Sequence, residues 1–241
     1  MEFKADALLL RASDYGENDK IATLLTAERG KISAALKGVK RAGAKLRFAA
    51  QPFCFAEYVL AARGNRNTVI SASLHDAFYA VCEDVTRYYA ASVVSDVCDK
   101  IALEGMNSGA LLVCAVSALE EICADHPLAL VKFFLDALDF AGYPVDVGAC
   151  PACGKIPAGR MRFSFSDGAF FCDKCFPDAV PASESTYLTM RAARGLGQAE
   201  AEIVRDGSVR ALRLLGTYFS RQVGTELVSL AEYFRLAKPV E

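Results

Sequence analysis

Strand-type patterning runs through the first eighty residues. Segments 3–12, 20–26, 31–36, 53–62 and 68–73 are rich in apolar and β-branched positions. Each is bounded by residues that favour turns: Asp14-Tyr15-Gly16-Glu17-Asn18-Asp19, Ala27-Glu28-Arg29-Gly30, and Arg63-Gly64-Asn65-Arg66-Asn67. Five short strands joined by short connections must close on themselves or leave open edges. A small closed barrel solves this, and the OB-fold is its commonest form at this size.

From His75 the period becomes helical. Phe78, Val81, Cys82, Val85, Tyr89, Val93, Val97 and Ile101 mark one apolar stripe, which predicts a long helix. Ser108 is placed to cap a second helix ending near Cys123. Asp125-His126-Pro127 predicts a third, with Pro127 in its first turn, where a missing N–H costs nothing. Its stripe is Val131, Phe134, Leu135 and Leu138, and Gly142 and Pro144 end it. Two more helices are predicted, from Ser185 to Arg194 and from a cap at Ser208 to Val223. The fold class is therefore α+β and multidomain: an N-terminal five-stranded OB-fold barrel over residues 1–77, then an all-α domain over 78–241. A small module at 148–178 interrupts the helical part.

That module carries the most specific chemistry in the chain. Cys150 and Cys153, then Cys172 and Cys175, form two C-x2-C pairs with eighteen residues between them. This is the spacing of a tetrahedral structural zinc site. A two-residue spacer lets one tight turn aim both thiolates at one ion, and Gly154 suits the positive φ such a turn needs. Residues 162–171 read as a β-hairpin around Asp167-Gly168, which returns the second pair to the first. Two disulfides need an oxidising compartment that nothing here indicates. A redox pair needs its motif between a strand and a helix, and an iron–sulfur cluster is the other possible occupant. Four thiolates leave no open coordination position, which argues against catalytic zinc. Cys54, Cys82, Cys98, Cys114 and Cys123 sit singly among apolar neighbours and read as buried small hydrophobes in a reducing cytoplasm.

Composition narrows the function class. At 241 residues and 53% hydrophobic, the chain can bury a sizeable core. No apolar run is long enough to span a bilayer, and the N-terminus carries acids where a signal peptide carries bases. A cytoplasmic protein is expected. The net charge of −2 hides an asymmetry, because residues 1–80 hold 12 basic and 8 acidic side chains. No acid lies between Glu28 and Glu57, whereas Arg29, Lys31, Lys37, Lys40, Arg41, Lys45 and Arg47 do. The segment 37–47, with its glycines and small residues, reads as a mobile cationic loop that can follow phosphates. A solvated loop that binds nothing is the alternative, and an OB barrel beneath it favours binding. Arg63 and Arg66 extend the same track or are exposed turn residues. Phe48, Phe53 and Phe55 are candidates to stack on bases, although alternation assigns some of them to the core. Asp14, Glu17 and Asp19 read as a turn network before a cation site, because they lack the calcium-loop pattern. Arg205, Arg210, Arg213 and Arg221 read first as the solvated face of a packing helix, and second as the cationic rim of a groove that docks an acidic peptide with an apolar end. No Walker A sequence, dinucleotide fingerprint or nucleophile–base pair is present, so no bond chemistry is expected.

The ordered set of motifs resembles the RecO family of bacterial DNA repair and recombination mediators. It runs through Lys4-Ala5-Asp6-Ala7-Leu8-Leu9-Leu10-Arg11, Gly16-Glu17-Asn18-Asp19-Lys20-Ile21, Arg29-Gly30-Lys31, Lys37-Gly38-Val39-Lys40-Arg41, Leu46-Arg47, Gln51-Pro52-Phe53 and the four-cysteine insert. The resemblance implies an OB-fold, a helical domain and a zinc module. It implies binding of single- and double-stranded DNA, annealing of complementary strands, and loading of the recombinase RecA onto DNA coated by single-stranded DNA-binding protein. The implied partners are RecR and the acidic C-terminal tail of that coating protein. Lys37, Lys40, Arg41, Lys45 and Arg47 correspond by position to the family's DNA-contacting segment. One structural Zn2+ on Cys150, Cys153, Cys172 and Cys175, and a nucleoid-associated location in a bacterial cytoplasm, follow from the same resemblance. A zinc-containing adaptor that only assembles proteins and an RNA-binding module are the competing functions.

Overall fold

The computed structural model describes residues 1–64 and 66–236. Five antiparallel-rich strands open the chain: β1 (Glu2–Tyr15), β2 (Asp19–Thr26), β3 (Gly30–Leu36), β4 (Phe55–Arg63) and β5 (Arg66–Asp76). They form a closed barrel in the order β1-β2-β3-β5-β4, sealed by a short parallel pairing of Ala34 and Ala35 with Asn67 and Thr68. This is the five-stranded OB arrangement expected from the sequence.

The run Ala7-Leu8-Leu9-Leu10 explains how the barrel is placed. All four residues are buried, so β1 is covered on both faces at this point. Ala7 and Leu9 belong to the barrel interior with Leu24, Ile32, Leu36, Tyr58 and Leu60. Leu8 stands opposite Leu25 on the outer face, and both are fully buried although neither belongs to the interior cluster. The pairing of β1 with β2 slips between Leu9 and Arg11, leaving Leu10 as the extra residue of a bulge. The outward residues are covered by helices of the same compact unit, which among the described residues comprises 1–124 and Val228–Leu236.

Those helices are α1 (Tyr79–Glu83), α2 (Val85–Ile101), α3 (Gly109–Cys123) and, after the second unit, α7 (Val228–Leu236). The single long helix read from the stripe beginning at Phe78 is in fact divided. β5 continues to Asp76, whose carboxylate accepts the Phe78 N–H at 2.7 Å and holds Phe78 at φ 44°. Asp84 is extended and its carboxylate accepts the Arg87 N–H at 2.8 Å, so it caps α2 and breaks the stripe there. Ser108 does stand at the start of α3, but its hydroxyl makes no capping bond; Asn107 Oδ1 accepts from Gly109 N–H instead.

One backbone contact fixes the join between barrel and helices. Gly30 has φ 63° and bridges Glu104, while Lys31 N–H donates to Leu103 O and Gly105 N–H to Arg29 O. A Cβ on Gly30 would lie 1.9 Å from Leu103 O and 2.7 Å from Met106 O. Neither carbonyl belongs to a flexible side chain. Gly30→Ala is expected to lower unfolding stability by at least about 3 kcal/mol, read from urea denaturation, because strain and clash act together. A change within error would show that the loop can move aside.

The second unit spans Asp125–Leu227. It holds α4 (Ala129–Phe140), the small sheet β6 (Met161–Ser164), β7 (Ala169–Cys172) and β8 (Val180–Ala182), then α5 (Glu184–Ala193) and α6 (Ala201–Val223). Pro127 lies in the turn before α4 and not in its first turn, since Ala129 N–H already closes that turn onto His126 O. Ser183 caps α5 by accepting the Thr186 N–H at 3.2 Å. Ser208 does not cap α6: the helix starts seven residues earlier at Ala201, and the Ser208 hydroxyl donates back to Val204 O at 2.6 Å. The core of this unit is aromatic. Phe163 packs edge-on against Phe170 at 4.9 Å and Tyr218 at 5.8 Å, and Phe134 meets Phe219 at 6.3 Å. Among the described residues no helix is long and apolar enough to cross a membrane.

Candidate metal centre and nucleic-acid interface

The four cysteines converge. The Sγ atoms of Cys150, Cys153, Cys172 and Cys175 all lie within 4.8 Å of one another, and those of Cys153 and Cys172 are 3.8 Å apart. Four sulfurs at about 2.3 Å around one tetrahedral ion are about 3.8 Å from each other, so the cluster has the right span to hold a metal ion. Its two halves are built alike. Gly154 N–H and Cys153 N–H donate to Cys150 O, and Gly154 takes φ 71°, the left-handed turn anticipated for it. Cys175 N–H donates to Cys172 O at 2.9 Å. The β6–β7 hairpin, paired from Met161–Cys172 to Ser164–Ala169, carries the second pair back to the first.

The electrostatics of the cluster fit a cation. Burial opposes ionisation of Cys150, but N–H groups of Cys172, Ala152 and Cys153 point at its sulfur, and together they bring the thiol down to about 6. Cys175 moves the other way, to about 12, chiefly because its thiol hydrogen-bonds Cys153 and then because of burial and the other sulfurs nearby. Ionisation is eased at Cys150 and opposed at Cys175 by the neighbouring sulfurs, a strain that a cation between them would relieve. Arg162 braces the second turn: its guanidinium binds Asp173 at 2.9 Å and the carbonyls of Pro177 and Ala179 at 2.7 and 3.0 Å. The sequence offered no local signal for that role, because all three partners lie eleven or more residues away.

The cationic segment after β3, expected as a mobile loop, is a series of hydrogen-bonded turns. Gly38 N–H donates to Asp19 Oδ1 at 2.7 Å, and Lys40 N–H to Asn18 O at 3.0 Å. Arg41 N–H then donates to Gly38 O, Ala44 N–H to Arg41 O and Arg47 N–H to Ala44 O, and Val39 is buried beneath them. The Asp14–Asp19 segment is thus a structural turn network that holds the basic turn in place. Lys37, Lys40, Arg41, Lys45 and Arg47 all remain exposed. They differ in freedom. Lys40 Nζ donates to Asp14 Oδ2 at 2.6 Å, and that bond holds the Asp14 carboxylate below its ordinary value despite a small opposing burial effect. Arg47 donates to Arg41 O at 2.9 Å, which stiffens the turn without neutralising either charge.

Arg63 and Arg66 are exposed and face each other across the β4–β5 turn. The neighbouring Asn67 donates to Ser33 O at 3.0 Å, so this turn lies against the strand that leads into the cationic segment. Of the aromatic candidates, Phe53 is buried and Phe48 packs against the barrel core. Phe55 is half-buried beside His75, ring centroids 4.9 Å apart, and His75 Nε2 lies 2.7 Å from Asp6 Oδ1. Arg210 pairs with Asp206 at 3.0 Å and Arg221 stacks over Phe165 at 4.1 Å, as a solvated packing helix would have them.

A closed OB barrel bearing an exposed cationic turn, followed by helices and a four-cysteine cluster, defines a class of barrel-and-helix protein. Comparison with known families gives the particular member of that class. Residues 1–78 match the family model "Recombination protein O N terminal", and residues 82–231 match "Recombination protein O C terminal". The chain belongs to the recombination protein O (RecO) family. Its curated relatives carry the name DNA repair protein RecO. The protein of Myxococcus xanthus (strain DK1622) is 28% identical over 232 residues, which cover 93% of this chain and 94% of that one. The protein of Desulfitobacterium hafniense (strain DSM 10664 / DCB-2) is 32% identical over 176 residues, 72% of this chain and 64% of the relative. That of Anaeromyxobacter sp. (strain Fw109-5) is 31% identical over 207 residues, 83% and 79% of the two chains. The match with the Desulfitobacterium relative thus spans less than two thirds of its length.

Proposed function

We propose that this protein is a non-catalytic DNA repair and recombination mediator. It binds single- and double-stranded DNA through Lys37, Lys40, Arg41, Lys45 and Arg47, with Arg63 and Arg66 extending the track. It anneals complementary strands and helps load RecA onto DNA coated by single-stranded DNA-binding protein. RecR and the acidic C-terminal tail of the coating protein are its partners, and it works in the bacterial cytoplasm at the nucleoid. Cys150, Cys153, Cys172 and Cys175 hold one structural Zn2+, which ties the ends of the hairpin together and supplies no reactive position.

The observation that carries this reading is the acid-free cationic turn held on the barrel by Asp19 and Asn18. Phosphates of two strands repel each other through their counterion atmospheres. A fixed row of cations that meets both backbones replaces those counterions and lowers the barrier to encounter. Backbone contacts of this kind read no sequence, which suits a protein that must anneal any complementary pair.

The test is an annealing assay on metal-analysed protein, with and without the coating protein. Faster pairing of complementary strands, strongly reduced by salt, is expected. A protein that binds neither strand at low ionic strength and leaves the pairing rate unchanged is an adaptor, and the proposal fails. Equal or tighter binding of matched RNA would move the reading to an RNA module.

A further inference from the structure

We propose that a cleft beside the cationic turn takes one unstacked nucleobase of the bound strand. This rests on the DNA-binding function proposed above and adds a site to it. The cleft encloses about 680 Å3 between β1, the segment following the cationic turn, and the exposed face of α2. That lies within the ~300–1,000 Å3 of small-molecule sites.

The wall chemistry sorts by depth. Leu10, Val39, Ala50 and Phe53 give an apolar floor, each at most 8% exposed. Tyr88 of α2 stands at the side, 38% exposed and backed edge-on by Phe53 with ring centroids 5.4 Å apart. A ring fixed in this way offers its free surface for stacking. Lys40 and Arg47 stand on the side of the cationic turn, where a strand's phosphates would run.

Ser95 indicates that a polar group is meant to enter. It lines the cleft, is only 6% exposed, and its hydroxyl has no hydrogen-bond partner among the described residues. A helical serine usually donates to the carbonyl four residues back, as Ser92 does to Tyr88 O at 2.8 Å one turn earlier. Ser95 does not, so an unpaired hydroxyl lies just beneath the cleft wall, where a rotation of its side chain brings it to a ligand atom.

Charge then selects the ligand. Asp96 and Asp99 line the same wall of α2, the first accepting from Ser229 at 2.7 Å and the second paired with Lys31 at 3.1 Å. The lining cations Arg11, Lys20, Lys40 and Arg47 come from the barrel and its cationic turn, so only the α2 wall presents carboxylates, and it is that wall which disfavours a phosphate or the acidic end of a peptide. Its carboxylates favour N–H donors, which nucleobases carry on their edges. A flat base with an exocyclic amine stacks on Tyr88, meets Ser95 and the carboxylates with its polar edge, and leaves its phosphate to Lys40 and Arg47.

The experiment compares two single strands of about 12 nucleotides, within the site sizes of OB folds. One carries mixed bases and the other is abasic throughout with the same backbone charge. The full chain is expected to prefer the intact strand about tenfold, the scale of one base stacked on one aromatic ring. Ser92→Phe, at a partly exposed position, fills the cleft and should abolish that preference while leaving abasic affinity unchanged; Tyr88→Ala should do the same by removal. Circular dichroism confirms the fold of each. Equal affinity of the unmodified protein for both strands overturns the site and leaves DNA binding standing, as does a preference that survives both variants. Displacement of the intact strand by a short acidic peptide, lost in Ser92→Phe, overturns it in favour of a peptide cleft. Failure to bind either strand overturns it together with the reading it rests on.

Discussion

Replacing Lys37, Lys40 and Arg41 together by alanine is expected to weaken single-stranded DNA binding roughly a hundredfold at about 50 mM salt. Each phosphate contact to a single strand contributes about 0.7 to the slope of log affinity against log salt. Three contacts give a slope change of about 2, but Lys40 already shares its charge with Asp14 at 2.6 Å. A change of about 1.5–2 is therefore the expected reading, and extrapolated from 1 M salt it yields the hundredfold loss. At about 0.2 M salt the same slope leaves only a ten- to thirtyfold loss, so the salt series separates an electrostatic defect from a misfolded one. Asp14→Asn supplies the opposite sign. It removes the carboxylate that holds Lys40 and lies 3.4 Å from Lys20, so affinity should rise a few-fold. Asp14 titrates below its ordinary value, so this restraint is present at neutral pH and fades only as the pH falls through that lowered value. Unchanged DNA affinity in the triple alanine variant, with its fold intact, would remove the cationic turn from the mechanism.

Much of this arrangement was legible in the chain, and the failures have physical causes. The barrel could be read because each strand alternates locally and each turn is short. The four cysteines could be read because both pairs and the hairpin between them obey local spacing rules. Helix boundaries were harder. Nothing in the pattern Phe78 to Ile101 distinguishes one helix from two; the break follows from Asp76 and Asp84 each capturing a backbone N–H. Asp206-Gly207-Ser208 resembles a helix start, yet Gly207 lies inside α6. A Cβ there would come within 2.0 Å of Thr189 Oγ1, so the glycine serves the close approach of α5. β8 and α7 were not foreseen at all. The first is three residues long and contains Pro181, and the second is held in place by Ser229 reaching Asp96 across 133 residues. In the same way, sequence names the cations proposed to meet DNA but not the partner of Lys40, which comes from the end of β1.

Cys150→Ser or Cys172→Ser is expected to abolish the metal content, from about one ion per chain to none, without abolishing DNA binding. Structural zinc contributes about 10–16 kcal/mol in isolated finger peptides, which are unfolded without it. Here the hairpin has a second source of stability. Phe163, Phe170, Tyr187 and Tyr218 are buried against one another, each ring worth about 2–3 kcal/mol of burial, and Arg162 ties the second cysteine turn to the carbonyls after it. Loss of the ion should therefore release the two cysteine turns while the aromatic core persists. A drop of at least about 10 °C in Tm for the transition of this unit is expected, since about 4–8 °C accompanies each kcal/mol in a domain of its size. Proteolysis should become rapid within 150–160 and 173–178, with most helical circular dichroism retained. The cations proposed to meet DNA belong to the other compact unit, so affinity for a single strand below the transition should stay within about twofold of the unmodified protein. Cys82, expected from the sequence to be buried, is exposed, so Cys82→Ser controls for thiol loss outside the cluster and should keep its metal. If a folded, metal-free variant instead loses DNA affinity as completely as the triple alanine variant, the cysteine module touches DNA, and its assignment as a stabilising clasp is wrong.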